Sequence, residues 1–499
     1  MTTLVSALSE AVSAHPDSTA LVYKERRLSF SDLDELSTQL AHSLLDKGIE
    51  AGDRIAILDR NSIWFYVILF AVMKARAVLV TVNFRLAPPE VEFIVRDSES
   101  KLLFVGEHFD HSLTDTTRGC CDTWIVETLD RASHGTSPNT RLPPASADDA
   151  AVQMYTSGTT GLPKGVVLSH LAMVNAARAG NSVWPFLDEP DASVLATMPL
   201  FHIAACNLGL AALLKSARVD IVNETDPIFV ADWLSRHRNS LVPLPATVIH
   251  GMLELPSIKD RDFSALRTIL VAGSGIAEDL IKRATETFEC GFALSYGSTE
   301  TCGGITYLGP DECVQGAGKK LTSAGTVMQP SRIEIQNPAG EPCPPNEVGE
   351  IVCFSDRLME EYWNRPDATR AAFRDGGYRS GDAGYLDEDG YLYVVDRIKD
   401  MVISGGENIY PAEIEQIFYT HSDVMDAAVI GRPDPRWGEA LVAVLVMRQG
   451  AELDADAMID FLRPSLAGYK IPRLYEVVEA LPRNATGKVL KTTLRERFG

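Results

Sequence analysis

The stretch AVQMYTSGTTGLPKGVVLSH, residues 151–170, is the most informative part of the sequence for the fold. Its apolar first part predicts a strand, which runs into a loop rich in glycine and hydroxyl side chains. Glycines allow backbone N–H groups to point into a shared concavity, and Lys164 adds positive charge. The stretch therefore predicts a phosphate-binding loop at the end of a strand.

This loop differs from the Walker loop of many nucleotide-binding proteins. Pro163 and Gly165 flank Lys164, where the Walker pattern requires glycine before the lysine and serine or threonine after it. A short run of glycine, serine and threonine taken alone is more often a flexible surface loop. The rest of the chain must therefore decide between a phosphate site and a plain loop.

Composition restricts the classes of function. The chain has 499 residues, 45% of them apolar, and its 46 Lys and Arg against 68 Asp and Glu give a net charge of −22. This charge disfavours a general nucleic-acid or anionic-membrane surface. The eight cysteines form neither a zinc pattern nor a dense disulfide framework. The N-terminus lacks a secretory pattern and the apolar run 63–73 is too short to span a bilayer, so we expect a cytoplasmic protein without a membrane span.

Helical and strand periodicities alternate through the first hundred residues. Ser31 is a candidate N-cap of a first long helix, RIAIL at 54–58 predicts a strand, and the apolar run 63–73 predicts a buried helix. This alternation favours an α/β fold: a large layered N-terminal domain with several β-sheets and helices. Near residues 396–400 a β-rich run gives way to a new pattern, so a small α+β C-terminal domain is expected from residue 401 onward.

Five more motifs follow the loop in order. They are PLFH (199–202), YGSTE (296–300), YRSGD (378–382), DRIKDMVISGGENIYPAEIE (396–415) and PRNATGK (482–488). Together with the loop, this series resembles the acyl-adenylate-forming (AMP-binding) superfamily of acyl- and aryl-CoA synthetases, amino-acid adenylation domains and luciferase. The resemblance covers nearly the whole chain and implies an ATP- and Mg²⁺-dependent ligase, which forms acyl-AMP and passes the acyl group to coenzyme A.

The resemblance implies specific residues for ATP or AMP. Tyr296 would lie against adenine, Thr299 near the α-phosphate, and Glu300 on magnesium together with Thr160. A carboxylate, a hydroxyl and phosphate oxygens suit this hard cation. The whole predicted nucleotide set is Thr156, Ser157, Gly158, Thr159, Thr160, Lys164, Gly273, Ser274, Gly275, Ser295, Tyr296, Gly297, Ser298, Thr299, Glu300, Asp382, Arg397 and Lys488.

Three residues of this set lie in the C-terminal motifs. The Asp382 carboxylate can accept from two ribose hydroxyls, and Arg397 has a donor fork that can reach the same sugar. Lys488 would contact the carboxylate oxygen and the α-phosphate during adenylation and stabilise the growing negative charge. Each would be an ordinary surface residue if it stood outside its motif.

Lys488 accounts for adenylation but does not explain the transfer of the acyl group to coenzyme A. In the superfamily the C-terminal domain rotates about the residue two past the ribose arginine, here Lys399, which predicts domains at 1–396 and 401–499 with a hinge at 397–400. Gly405 and Gly406 would then let the backbone approach coenzyme A, although they also suit a hairpin turn. Trp437 and Tyr469 resemble positions near coenzyme A, although either suits ordinary domain packing.

The predicted acid pocket is mainly apolar or small. The expected substrate-binding residues are His202, Cys206, Asn207, Gly297, Cys302 and Gly303, with His202 as a gate beside the carboxylate. A histidine beside an apolar run is also often a plain core residue. An apolar acyl or aryl acid suits this pocket. Amino-acid-activating relatives usually carry Phe-Asp where this chain has Phe201 and His202, which disfavours an α-amino acid.

Two other functions stay open at this point. The enzyme could deliver its adenylate to a carrier protein or a separate transferase, although SGGEN favours free coenzyme A. A non-catalytic nucleotide-binding module is the other alternative, and retention of Lys164, Glu300 and Lys488 argues against it. The expected partners are small molecules only, and the chain is expected to be a monomer or a homodimer.

Overall fold

The computed structural model describes residues 2–110, 113–129, 142–156, 163–271, 278–315, 319–404, 407–484 and 487–499. The chain divides into two compact units, the first made of Met1–Arg332 and Cys353–Tyr378, the second of Ile333–Val352 and Arg379–Gly499. This division describes which parts of the chain pack together. The predicted hinge at 397–400 concerns motion and stays a prediction.

The first unit contains two seven-stranded sheets. One sheet is parallel except at one edge, where Thr19–Tyr23 and Arg26–Ser29 form an antiparallel hairpin. Its strands lie in the order Gly291–Leu294, Thr268–Val271, Leu241–Leu244, Ser193–Ala196, Arg218–Ile221, Thr19–Tyr23 and Arg26–Ser29.

The second sheet combines a parallel centre with an antiparallel edge. Its strands lie in the order Glu361–Tyr362, Lys164–Ser169, Ala150–Thr156, Val78–Thr81, Arg54–Leu58, Leu102–Val105 and Asp122–Ile125. The three central strands, Val78–Thr81, Arg54–Leu58 and Leu102–Val105, are buried along nearly their whole length, as expected for a parallel sheet that is covered on both faces. The antiparallel edge holds the phosphate-loop motif.

Helices alternate with these strands, which confirms the α/β class. Those of the first unit are Leu4–Ala14, Phe30–Asp46, Ile63–Lys74, Pro88–Asp97, Glu107–Asp110, Asp115–Cys120, His170–Val183, Ile203–Leu213, Pro227–His237, Ala246–Leu253, Glu278–Phe288, Pro310–Gln315 and Pro366–Ala372. The unit also contains two two-stranded antiparallel pairs, the hairpin Gly297–Ser298 with Gly303–Gly304, and Thr306–Tyr307 with Thr326–Val327.

One helix boundary differs from the sequence prediction. Ser29, rather than Ser31, caps the helix Phe30–Asp46, because its Oγ accepts from the Asp32 N–H while Asp32 accepts from the Ser29 N–H. This reciprocal capping box satisfies two backbone donors, so the helix starts earlier. The helix Ile63–Lys74 is buried at every position, as predicted. Within the described ranges, no helix has the length and apolar character needed to cross a membrane.

The second unit is α+β. It contributes most of a five-stranded sheet with the order Arg332–Gln336, Gly349–Phe354, Gly377–Leu386 and Phe373–Arg374, with Leu392–Arg397 also paired to Gly377–Leu386. Its other sheet has the order Glu407–Ile409, Val402–Ser404, Gly438–Met447 and Val424–Asp434, with Leu474–Val477 beside Gly438–Met447. The helices are Pro411–Phe418, Ala455–Leu462 and Lys491–Phe498.

Candidate functional site

The phosphate-loop motif joins two antiparallel strands at the edge of the second sheet. Thr156 ends the strand Ala150–Thr156 and pairs with Lys164, the first residue of the strand Lys164–Ser169. The two ends of the loop therefore meet at one point. Lys164 Nζ lies 4.7 Å from the centre of the Tyr362 ring, which suits a cation–π contact. The predicted donors between these ends, Ser157, Gly158, Thr159 and Thr160, lie outside the described residues, as do Gly273, Ser274 and Gly275.

The YGSTE motif forms a tight hairpin. Gly297 pairs with Gly304 and Ser298 with Gly303. A Cβ on Gly297 would lie 2.0 Å from the Gly303 carbonyl oxygen, so the close approach of the two strands requires glycine. The Thr301 hydroxyl donates to the Gly303 carbonyl at 2.8 Å and accepts from the Ser298 N–H at 2.8 Å.

The residues around the hairpin are tied to it by further hydrogen bonds. Ser295 Oγ donates to the Thr306 carbonyl at 2.8 Å, and the Tyr296 N–H donates to Thr306 Oγ1 at 3.1 Å. Thr299 lies in the turn of the hairpin and is half-buried. The hairpin thus brings the predicted nucleotide residues 295–300 together as one rigid segment.

Glu300 is held in place by two neighbours. Its side chain is 8% exposed, and Oε1 accepts a hydrogen bond from the Tyr362 hydroxyl at 2.9 Å. Its carbonyl accepts from the Met359 N–H at 2.8 Å. Burial raises the pKa of the adjacent Tyr378, and the Glu300 charge raises it further, so Tyr378 stays a neutral hydroxyl. A fixed, buried carboxylate is a suitable oxygen donor for Mg²⁺.

Tyr362 is a site residue that the sequence reasoning missed. Its strand Glu361–Tyr362 pairs with Val166 and Val167, beside the loop lysine. Tyr362 therefore contacts both predicted phosphate elements, Lys164 through its ring and Glu300 through its hydroxyl. In the sequence, Tyr362 is marked only by the adjacent aromatic residue Trp363 in EYWNRP, a pattern typical of core packing.

Three of the predicted pocket residues are neighbours in the structure. His202 precedes the helix Ile203–Leu213, with its ring 4.3 Å from that of Phe201. One turn later, Asn207 Nδ2 donates to the Cys302 carbonyl at 2.7 Å and lies 3.3 Å from the place of a Cβ on Gly303. Asn207, Cys302 and Gly303 are thus neighbours, as a shared pocket requires.

Cys206 directly precedes Asn207 on the same helix. It is fully buried, its carbonyl accepts from the Tyr66 hydroxyl at 3.3 Å, and burial raises the pKa of its thiol. Burial likewise raises the pKa of the Cys302 thiol to about 12. Both thiols therefore stay protonated at neutral pH, which suits an apolar lining and not a nucleophile.

Within the second unit, Asp382 and Arg397 form an ion pair. The strands that carry them place the two residues in register, and Arg397 Nε lies 2.8 Å from Asp382 Oδ1. Arg397 Nη1 also donates to the Ser380 carbonyl at 3.4 Å. The sequence predicted this pair for one sugar, and the strand register explains how residues 15 positions apart come together.

The lysines predicted for the hinge and for adenylation are both exposed and belong to the same unit. Lys399 belongs to the 3₁₀ turn Ile398–Asp400, whose Asp400 pairs with Arg495 at 2.9 Å. Lys488 is exposed in a short hairpin, where its N–H donates to Asn484 Oδ1 at 2.9 Å. Gly487 has a φ of +85°, a conformation that favours glycine directly before Lys488.

The predicted coenzyme A residues include an aromatic group between two cations. The guanidinium carbons of Arg436 and Arg473 lie 4.7 Å and 4.2 Å from the centre of the Trp437 ring. Both arginines were missed, although Arg436 is adjacent to Trp437 in the sequence. Gly438, the residue after Trp437, pairs with Ser404, whereas Gly405 and Gly406 fall outside the described residues. Tyr469 is 43% exposed, beside the ion pair of Lys470 and Glu413.

Comparisons with known proteins agree with these motifs. The model of the AMP-binding enzyme family matches residues 8–363, and that of the AMP-binding enzyme C-terminal domain matches residues 413–488. Feruloyl-CoA synthase from Amycolatopsis sp is 37% identical over 97% of this chain and 96% of its own length. Fatty acid–[acyl-carrier-protein] ligase ScoC from Streptomyces coeruleorubidus is 36% identical over 99% and 96%.

Solved structures extend the comparison to the fold. The o-succinylbenzoate CoA synthetase (MenE) from Bacillus subtilis, in complex with its acyl-adenylate intermediate, matches with a TM-score of 0.89 and 31% identity. That match covers 98% of this chain and 97% of the other. The same synthetase in complex with ATP and a magnesium ion matches with a TM-score of 0.88 over 98% of both chains.

Proposed function

Because the chain belongs to the family of AMP-binding enzymes, we propose that it activates a hydrophobic fatty or aryl carboxylic acid as acyl-AMP and then transfers the acyl group to coenzyme A. The acid–thiol ligase class predicted from the sequence is confirmed by the CoA-ligase relatives. One observation carries the proposal for the site. A single hairpin bears Glu300 and, two and three residues later, Cys302 and Gly303 beside Asn207. Phosphate chemistry and acid binding are thereby joined in one rigid element.

In the first half-reaction, a carboxylate oxygen of the acid attacks the α-phosphorus of ATP and pyrophosphate leaves. Glu300, held by Tyr362, would supply one oxygen ligand for Mg²⁺. When bound, this ion neutralises charge on the phosphate oxygens. Lys164 at the end of the phosphate loop and Lys488 add positive charge where negative charge grows. Asp382 and Arg397 bind the ribose hydroxyls, and Tyr296 packs on adenine.

In the second half-reaction, a thiolate attacks the acyl carbonyl and AMP leaves. The group around Trp437 favours coenzyme A over a carrier protein as the source of that thiol. An aromatic ring whose centre lies 4.7 Å and 4.2 Å from the guanidinium carbons of Arg436 and Arg473 suits the adenine and the ribose 3′-phosphate of coenzyme A, both of which a carrier-bound phosphopantetheine lacks. The similarity to an acyl-carrier-protein ligase keeps the other acceptor as the alternative.

The hinge proposal accounts for the use of one site in two reactions. Rotation about Lys399 would withdraw the Lys488 hairpin after adenylation and bring Gly405 and Gly406 to the acyl-AMP. The 3₁₀ turn Ile398–Asp400 supports this role, because it contains no fully buried residue and Lys399 is exposed, so its backbone angles can change at little cost in packing.

The acid pocket supports an uncharged acyl or aryl chain. Cys206 and Cys302 contribute neutral thiols, and His202, proposed as the gate, stands where an aspartate would bind an amino-acid ammonium. Asn207 and Cys302 offer an amide and a thiol beside Gly303, which supports an uncharged chain over an α-amino acid.

A panel of carboxylic acids tests the proposal. Pyrophosphate release would be measured with ATP and Mg²⁺ in the presence and absence of coenzyme A, and thioester formation by loss of free thiol. We expect acid-dependent pyrophosphate release and stoichiometric thioester. Adenylation without thioester formation would favour a carrier-protein acceptor. Absence of pyrophosphate release with every acid would favour the non-catalytic module.

A further inference from the structure

Asp97 joins two segments that meet at the base of the phosphate-loop motif. It is the last residue of the helix Pro88–Asp97, and its side chain is 10% exposed. Its Oδ2 accepts from the Tyr155 hydroxyl at 2.8 Å, and its Oδ1 accepts from Arg365 Nη2 at 2.6 Å. Its backbone carbonyl accepts from Trp363 Nε1 at 3.0 Å. One residue thus binds two segments that are far apart in the sequence.

Both segments lead directly into the proposed nucleotide site. Tyr155 is the residue before Thr156, where the described part of the strand that enters the loop ends. Trp363 is the residue after Tyr362, which contacts the loop lysine through its ring and the proposed magnesium carboxylate through its hydroxyl. Asp97 therefore holds the segment that carries Tyr362 against the strand that enters the loop.

Gly165 leaves room for this link. It pairs with Tyr155 across the two loop strands, and a Cβ on it would lie 3.1 Å from Tyr155 Cζ and 2.6 Å from Gln153 Nε2. Its carbonyl accepts from the Trp363 N–H at 2.7 Å. The Gln153 amide donates to the Tyr155 hydroxyl at 3.1 Å. Because Gly165 has no side chain, the ring and the amide fit beside it, and the hydroxyl is free to donate to Asp97.

The position of Asp97 at the end of a helix is unfavourable for the helix itself. The last turn of a helix carries partial negative charge on its free carbonyls, so a carboxylate there is repelled. The Asp97 carboxylate is compensated by Arg365 on another segment and by the Tyr155 hydroxyl. The carboxylate therefore strengthens the link between the two segments rather than its own helix.

We propose that Asp97 is a positioning residue of the ATP site, which holds Tyr362 where its hydroxyl binds Glu300 and its ring contacts Lys164. This inference rests on the proposed function, since it concerns the triphosphate and Mg²⁺ side of the same site. The triphosphate takes part only in the first half-reaction, because pyrophosphate has left before the thiolate attacks. Loss of the link should therefore weaken the binding of MgATP and spare the second half-reaction.

Asp97→Asn tests this role, because the substitution keeps the size of the side chain and removes the charge that pairs with Arg365. Pyrophosphate release would be measured as a function of MgATP and of the acid. Thioester formation would be measured separately, from supplied acyl-AMP and coenzyme A. We expect the KM for MgATP to rise roughly tenfold, as is typical when the support of a metal ligand is lost. The KM for the acid and the rate of thioester formation should keep their wild-type values.

Tyr155→Phe is the second variant, because it removes one hydrogen bond of the link and no charge. It should raise the KM for MgATP in the same direction by less, roughly threefold. If Asp97→Asn does not fold, Tyr155→Phe decides the question alone.

Asp149→Asn is the matched control. Asp149 directly precedes the same strand, Ala150–Thr156, at the end opposite to the loop, and its carboxylate pairs with Arg76 at 2.9 Å. The variant also loses the charge of an ion pair, but its KM for MgATP should stay at the wild-type value. An equal rise of this KM in Asp149→Asn and Asp97→Asn would indicate a general loss of stability and overturn the proposal.

Two further results would overturn it. One is an unchanged KM for MgATP in both Asp97→Asn and Tyr155→Phe, and the other is an equal loss of both half-reactions in these variants. These failures differ from failure of the proposed function. An enzyme that releases pyrophosphate with a KM for MgATP insensitive to these changes contradicts only the role of Asp97, whereas an enzyme that releases none with any acid contradicts the function itself.

Discussion

The Glu300 hairpin and the Lys488 hairpin carry the two charges proposed for adenylation, yet they are built differently. Glu300 is buried, and both its carboxylate and its carbonyl are held by neighbours in the same unit. Lys488 is exposed, and its backbone N–H and carbonyl exchange hydrogen bonds with Asn484. A metal ligand benefits from fixed geometry, whereas a lysine that must leave the site benefits from a surface position. The contrast supports a preformed carboxylate site and a delivered lysine.

The sharpest test of the contrast is Lys488→Ala. We expect acyl-AMP formation to fall by about 10³-fold, because a charge that stabilises the transition state is lost. Thioester formation from supplied acyl-AMP should persist, because Lys488 has left the site by then. Pyrophosphate release and thiol consumption measure the two steps, and Lys488→Arg serves as the conservative control. Equal loss of both steps in a folded protein would contradict the delivered role.

Glu300→Gln tests the preformed side of the contrast. The substitution removes one charge and keeps the side-chain volume, so we expect a roughly 10²-fold loss of adenylation at limiting Mg²⁺, with an unchanged fold. The loss should shrink as Mg²⁺ is raised. The measurement is the adenylation rate as a function of Mg²⁺ concentration, and circular dichroism checks that the variant is folded. Wild-type turnover at limiting Mg²⁺ would remove Glu300 from the metal site.

Lys399→Pro asks whether the second unit must move. Proline fixes φ at the proposed hinge, so thioester formation from supplied acyl-AMP should fall about tenfold while adenylation is largely retained. Lys399→Ala keeps backbone freedom and is the matched control. The same two assays apply as for Lys488. If the proline variant matched the alanine variant in both steps, rotation about Lys399 would be excluded.

Tyr362→Phe should have the smallest effect. It removes the hydrogen bond to Glu300 but keeps the ring near Lys164, and a bond of this kind contributes about 1 kcal/mol. We expect the Mg²⁺ concentration for half-maximal adenylation to rise roughly fivefold. Tyr23→Phe, which loses a hydroxyl that accepts from Asn223 at 3.2 Å, is the control in the same unit. An unchanged magnesium dependence would mean that Glu300 needs no support from Tyr362.

The strongest local signals predicted the secondary structure well. The apolar run 63–73 forms the buried helix Ile63–Lys74, RIAIL forms a strand over all its residues, and Pro411 begins a helix. Each depends on periodicity or on a fixed φ within a few residues. The N-cap at Ser29 was missed because two serines in SFSD offer a hydroxyl. The reciprocal bond with Asp32 selects the first of them.

The sequence by itself determined the family, the α/β class and the order of the motifs, because short runs of residues carry those signals. The tertiary structure alone decided which side chains from distant segments meet. Tyr362 reaches Glu300 over 62 positions, and Asn207 reaches the Cys302 carbonyl over 95. Arg357 follows a serine and an aspartate in SDRLM, yet its side chain is 2% exposed. Burial and hydrogen-bond pairing are properties of packed elements, and no local pattern of residues encodes them.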